Sequence, residues 1–228
     1  MQFLNRVLTG DCRSLLPRLP TSSVDFILTD PPYLVNYRSR DGRRLVGDRD
    51  GAWLAPVSAE LYRVLKPNRL FVSFYGWQAA DQFLAAWRAA GFRPVGHLVW
   101  TKRYASSERY LRYQHEQAYL LAKGYPPRPQ RPLPDVLPWK YTGNTLHPTQ
   151  KPLSALTPII AAFSRRHDIV LDPFCGSGST LLAAKLCGRQ YLGIEIDPQY
   201  AEIADGRLYQ ERLDRSRPSG YASLTINP

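Results

Sequence analysis

Short apolar runs alternate with stretches of helical apolar spacing, and this alternation constrains the fold of the chain more than any other feature. Val24-Asp25-Phe26-Ile27-Leu28-Thr29 is a brief apolar run that ends at Pro31-Pro32, as a buried strand should. Trp53, Val57, Leu61, Val64 and Leu65 recur at helical spacing, and Lys66-Pro67-Asn68 stops that helix. Residues 69–75 read as the next strand, 77–90 as a helix closed by Gly91, and 95–100 and 117–122 as strands. Pro152 opens a helix to about Phe163, and 169–171 is a strand. A helix over 179–186 is capped by Gly188, a strand follows over 191–196, and Asp197-Pro198 caps and starts a last helix to about Leu213. This order predicts an α/β domain with a mostly parallel sheet covered on both faces.

Two stretches interrupt the pattern. Residues 34–52 hold five arginines and three aspartates with little apolar periodicity. Residues 102–146 hold eight Lys/Arg, six tyrosines and prolines at 126, 127, 129, 132, 134 and 138. Long irregular segments inside a compact domain are usually functional or disordered. The tail after about Arg215 reads as disordered. Thirty Lys+Arg against 19 Asp+Glu give a net charge of +11, which favours an anionic partner, nucleic acid first. Cys12, Cys175 and Cys187 fit neither a disulfide framework nor a zinc site, and the four histidines have no metal-ligand spacing. No apolar run reaches signal-peptide or membrane-spanning length, so a cytoplasmic protein without a membrane partner is expected.

Asp172-Pro173-Phe174-Cys175-Gly176-Ser177-Gly178-Ser179-Thr180 follows a predicted strand and opens a helix. Glycines there let backbone approach a ligand at a helix N-terminus, where open α/β sheets bind ligands. The segment lacks the Gly-Lys-Ser/Thr of a P-loop and the third glycine of the dinucleotide fingerprint. The next strand ends in Glu195-Ile196-Asp197, and an acid there can accept hydrogen bonds from ribose hydroxyls; its other reading is a solvated strand-end acid.

Asp30-Pro31-Pro32-Tyr33 comes straight off a strand. The prolines stiffen the turn, so a carboxylate, backbone carbonyls and an aromatic ring converge at one strand end. That set suits a planar ring with an amino group, the acceptors taking its hydrogens and Tyr33 stacking on its face. Taken bare, Asp-Pro-Pro is more often a turn.

Together and in this order, DPPY and DPFCGSG resemble the permuted β-class of S-adenosylmethionine-dependent DNA amino-methyltransferases. Gly10-Asp11-Cys12, His115-Glu116-Gln117 and His147-Pro148-Thr149-Gln150-Lys151-Pro152 match further segments, and the resemblance spans about residues 4–210. It implies a Rossmann-like methyltransferase fold with a seven-stranded sheet, in a single catalytic domain over 1–215. Within that domain, 34–52 would be a mobile active-site loop and about 102–146 a short target-recognition insertion. It implies S-adenosylmethionine as cofactor, held by Asp11, Cys12, Asp30, His147, Thr149, Lys151, Asp172, Phe174, Gly176, Ser177, Gly178, Ser179, Glu195 and Ile196. Catalysis falls to Asp30, Pro31, Pro32 and Tyr33, and His115-Glu116-Gln117 matches a strand motif near the target pocket.

The implied substrate is double-stranded DNA, with adenine N6 favoured by the aspartate of DPPY and N4-cytosine as the alternative. A base inside a duplex must flip out to reach such a pocket. Arg38, Arg40, Arg103, Arg109, Arg112 and Lys140 are the candidates for DNA contact, and Tyr104, Tyr110 and Tyr113 either stack or pack. No metal is needed for direct transfer from a sulfonium, and the cysteines are expected to be chemically silent. A second copy of the chain and a cognate restriction endonuclease are compatible partners, in a prokaryotic, phage or plasmid setting. A catalytically idle DNA-binding homologue is the competing reading from another class.

Overall fold

The computed structural model describes residues 3–36, 46–140 and 150–216, with side chains of the last helix through residue 211. The strands are β1 (Arg6–Thr9), β2 (Val24–Thr29), β3 (Leu65–Phe74), β4 (Arg93–Thr101), β5 (His115–Lys123), β6 (Val136–Pro138), β7 (Ile169–Asp172) and β8 (Gln190–Glu195). The helices are α1 (Cys12–Leu15), α2 (Leu54–Val64), α3 (Ala80–Ala89), α4 (Leu153–Phe163), α5 (Ser179–Leu186) and α6 (Pro198–Ser216). All eight strands join one sheet in the order β1-β8-β7-β2-β3-β5-β4-β6. Neighbours from β1 to β3 run parallel, β5 runs antiparallel to both β3 and β4, and β6 lies parallel to β4.

The expected seven strands are therefore eight. The spacing reads six strands; the two it misses are the edge strands, β1, paired with β8, and β6, which pairs Val99 with Val136 inside the proline-rich stretch. Three residues carry no readable periodicity, and Pro138 is tolerated because an edge strand can spare an N–H. The helix-stop reading at Lys66-Pro67-Asn68 also shifts. The chain is already extended from Leu65, and Asn68 (φ 57°) sits in the left-handed region within β3, its Oδ1 accepting from Tyr125 N–H at 2.9 Å. Residues 77–90 divide into a 3-10 turn at Trp77–Ala79 and then α3. Pro152 caps α4 from outside its first turn.

Two apolar layers cover the sheet. One packs Leu54, Val57, Leu61, Phe83 and Trp87 of α2 and α3 against Ile27, Phe71 and Leu171. The other packs Leu156, Ile159, Ile160, Leu181 and Leu208 of α4, α5 and α6 against Phe26, Leu28, Val72 and Val170. Alternate residues of β2 feed opposite layers, which is why the strand is an unbroken apolar run. Its one charge, Asp25, is buried and held by Lys66 at 2.8 Å, Arg69 at 3.0 Å and the Ile169 N–H at 3.1 Å. Losing both cations would leave this buried carboxylate uncompensated, at a cost of about 3–5 kcal/mol. Among the described residues no helix is long and apolar enough to cross a membrane.

Candidate functional site

Strand direction gathers the chemistry at one edge of the sheet. The parallel strands β1, β8, β7, β2 and β3 all end there, delivering Asp11, Glu195, the glycine loop, Asp30 and Gly76. The reversed β5 begins at that edge and brings Glu116, while β4 and β6 end there with Lys102 and Trp139. The chain leaves β7 toward β8 and leaves β2 toward β3, so the crevice between β7 and β2 is the switch point where such sheets bind ligands. Thr29 Oγ1 closes its floor by donating to Asp172 Oδ1 at 2.7 Å.

The glycine loop fits this crevice. Asp172 also accepts from the Phe174 N–H at 3.1 Å, yet burial pushes its carboxyl up to about 7. Gly176 (φ 50°) and Gly178 (φ 80°) are left-handed, and Gly178 caps α5. A Cβ on Gly178 would lie 2.8 Å from that of Ala204 in α6, so only glycine allows this approach. Glu195 bridges the turn, accepting from Gly176 N–H at 2.7 Å and Asp197 N–H at 2.9 Å, and burial raises its carboxyl above the usual range. Each of its oxygens keeps a lone pair for another donor. Ile196 beside it is exposed. Phe174 meets the edge of Trp53 at 5.0 Å.

Several expected cofactor residues have structural partners. Ser177 and Ser179 are buried and receive the Arg207 guanidinium from α6, at 3.3 Å and 3.2 Å to their hydroxyls. Asp11 caps α1 through the Arg13 N–H at 2.8 Å and pairs with the Arg13 guanidinium, which holds its carboxyl low. Cys12 is buried and its thiol is pushed up to about 12. His147 and Thr149 lie outside the described residues.

Asp30 stands across the crevice. Its Oδ1 accepts from the Tyr33 hydroxyl at 2.7 Å and its Oδ2 from Lys151 Nζ at 2.6 Å. Burial raises the Asp30 carboxyl, while Lys151 and Tyr33 pull it back. The Tyr33 phenol is raised well above its usual value by burial and by the charges of Asp30 and Glu116. Pro31 is buried and Pro32 half-buried. Phe74 lies under Lys151 and stacks on Trp100 at 4.9 Å, and the buried Trp100 Nε1 has no hydrogen-bond partner among the described residues. Glu116 pairs with Lys102, whose ammonium lies 5.6 Å from the Trp139 ring.

The flanks of the site are basic. Arg103, Arg109 and Lys140 are exposed, whereas Arg112 is paired with Glu108 at 2.9 Å; Arg38 and Arg40 lie outside the described residues. Tyr104 and Tyr110 are exposed, and Tyr113 stacks on Trp77 at 6.0 Å. The loop after Tyr33 is pinned at its shoulders, where the buried Asp48 accepts from Leu34 N–H at 2.8 Å. Sequence spacing gave no signal for Thr29, Asp48, Gly76 or Trp100, whose roles depend on contacts between distant segments.

In a chain of net charge +11, four acids, Asp11, Asp30, Asp172 and Glu195, stand at the strand ends around the crevice, Asp11 paired with Arg13 and Asp30 with Lys151. Those acids and the glycine loop suit a cationic, hydroxyl-bearing ligand inside the crevice, and the basic flanks suit a polyanion outside it.

Comparison with known proteins identifies the family. A family model described as "DNA methylase" matches residues 24–142 and 130–206. A protein of Escherichia coli (strain K12) with the provisional name methylase YubD is 55% identical over 205 residues, covering 90% of each chain. The crystal structure of the M1.HpyAVI–SAM complex superposes with a TM-score of 0.71 at 25% identity, covering 89% of this chain and 98% of that one. The cytosine-N4-specific PvuII DNA methyltransferase shares the fold, with a TM-score of 0.72 at 18% identity over 97% of this chain and 87% of that one. The chain thus belongs to the N6/N4 family of DNA methylases.

Proposed function

We propose that this DNA methyltransferase modifies the exocyclic N6 of adenine within a specific DNA sequence, on a base flipped out of the duplex. The observation that carries the reading is Asp30, a half-buried carboxylate beside the Pro31 carbonyl, facing the glycine loop across the switch point. The methyl donor is S-adenosylmethionine, the ligand in the M1.HpyAVI complex. Glu195 and the backbone of Gly176 to Gly178 would hold it, with Asp11 at the neighbouring strand end. When bound, it supplies an electrophilic methyl group on a sulfonium.

The residues of the chain do the rest. An adenine amino nitrogen is a poor nucleophile because its lone pair is delocalised into the ring. Asp30 and the Pro31 carbonyl accept its two hydrogens and favour a pyramidal nitrogen with a localised lone pair. Acceptors fixed in advance stabilise the positive charge that develops on nitrogen as the methyl arrives. Asp30, directly or through water, then takes the proton that the methylated nitrogen releases. Tyr33 stacks on the flipped base, and the basic flanks grip phosphates.

Methyl transfer to mixed genomic DNA, read by nucleoside mass spectrometry, tests the reading. N6-methyladenine supports it. N4-methylcytosine keeps the mechanism and overturns the base. Undiminished transfer by Asp30→Ala overturns the catalytic assignment.

A further inference from the structure

The lysine of the HPTQKP segment lies in a stretch expected to hold the methionine end of the cofactor, and its ammonium meets Asp30. Lys151 Nζ lies 2.6 Å from Asp30 Oδ2, with the side chains 9% and 19% exposed. The ammonium is also 5.4 Å from the centroid of Tyr33 and 5.0 Å from that of Phe74. Two ring faces and one carboxylate therefore replace its water. Burying an ammonium this far is costly unless it is paired, so its seat is part of the construction of the site. Pro152 follows Lys151 directly and caps α4, which anchors the backbone from which the side chain reaches.

We infer that Lys151 is a positioning residue for Asp30: it fixes Oδ2 and keeps the carboxylate in its proton-free, accepting form, leaving lone pairs for the amino group of the target base. This inference rests on the catalytic reading of Asp30 above.

The surroundings show why a cation is needed. Tyr33 faces Asp30 from its own turn, Glu116 from β5 and Asp172 from β7, with Lys102 already paired to Glu116. Burial and the charge of Glu116 both raise the proton affinity of Asp30, and Lys151 is the cation in contact that opposes them. A protonated Asp30 would present an O–H where the amino group needs an acceptor. An opposite charge in contact favours the ionised form of a carboxyl, so Lys151 holds Asp30 toward its accepting state.

The test is Lys151→Met, with Lys151→Arg as the conservative partner. Expected for Lys151→Met is an acid limb of kcat/KM moved upward by about one unit or more, with kcat lowered about tenfold or more at pH 6.5. S-adenosylhomocysteine affinity, measured by calorimetry, should change less than about twofold. Lys151→Arg should restore most of the wild-type pH profile. The 13C titration of the Asp30 carboxyl in the cofactor-free chain should move in the same direction, and this readout is independent of turnover. A tenfold loss of S-adenosylhomocysteine affinity with an unmoved acid limb would assign Lys151 to the cofactor and overturn the inference. Should Lys151→Met fail to fold, an Asp30 titration unchanged between Lys151→Gln and wild type would overturn it equally. Full activity in Asp30→Asn would instead remove the underlying catalytic reading, whatever Lys151 does.

Discussion

Gly76 lies against the backbone of Tyr33: a Cβ at position 76 would sit 2.7 Å from the Tyr33 carbonyl oxygen and 2.8 Å from its Cβ. The end of β3 thus makes room for the turn that carries Asp30 and Tyr33. Gly76→Ala should push that turn away while leaving the glycine loop on β7 untouched. We expect kcat to fall about tenfold to a hundredfold, since small misplacements of reacting groups are costly. Affinity for S-adenosylhomocysteine should stay within about threefold. Equal losses of both would show that the whole crevice depends on Gly76.

Asp172 makes stability depend on pH in a defined direction. Burial pushes its folded carboxyl up to about 7, well above the ordinary carboxylate range of about 4. The folded state therefore binds more protons than the unfolded state between those values, and stability falls as pH rises from about 4 to about 7. Above pH 7 the buried charge costs the folded state on the order of 4 kcal/mol. Asp172→Asn keeps an acceptor for Thr29 and Phe174 without the charge. Its Tm relative to wild type should rise from pH 5 to about pH 7 and level off above it, and a constant difference would refute the titration.

Cys175 sits inside the glycine loop, yet burial and the nearby charges of Asp172 and Glu195 hold its thiol well above the usual range. A thiol held protonated is a poor nucleophile. Cys175→Ala should keep methyl transfer within about threefold and cost about 1 kcal/mol of stability from the lost volume. A hundredfold loss of transfer at unchanged Tm would give the thiol a chemical role.

The arginines of the 102–115 segment are not equivalent. Arg109 is exposed, whereas Arg112 is tied to Glu108 across an isolated bridge. A cation that contacts phosphate releases counterions on binding, and one already paired contributes less. Arg109→Ala should weaken DNA binding and lower the slope of log K against log salt by about one. Arg112→Ala should change that slope less. The reverse order would place Arg112 on the phosphates.

Much of this molecule was legible from spacing. The strand–loop–helix of DPFCGSG, the DPPY turn after β2 and the acid ending β8 are local patterns, set by turn chemistry and apolar periodicity over a few residues. The chain by itself therefore determined an α/β sheet and the segments that meet at its carboxyl edge. It gave no sign of the edge strands β1 and β6, where four residues and three residues find their partners only across the sheet.

Tertiary structure alone decided which side chains face one another. Lys151 meets Asp30 across 121 positions and Thr29 meets Asp172 across 143. The reversal of β5 brings Glu116 to the same edge. Such pairings follow from strand order and direction, which depend on how apolar faces close over the whole sheet. A carboxylate and a lysine far apart in sequence carry no mark of that closure until the core has formed.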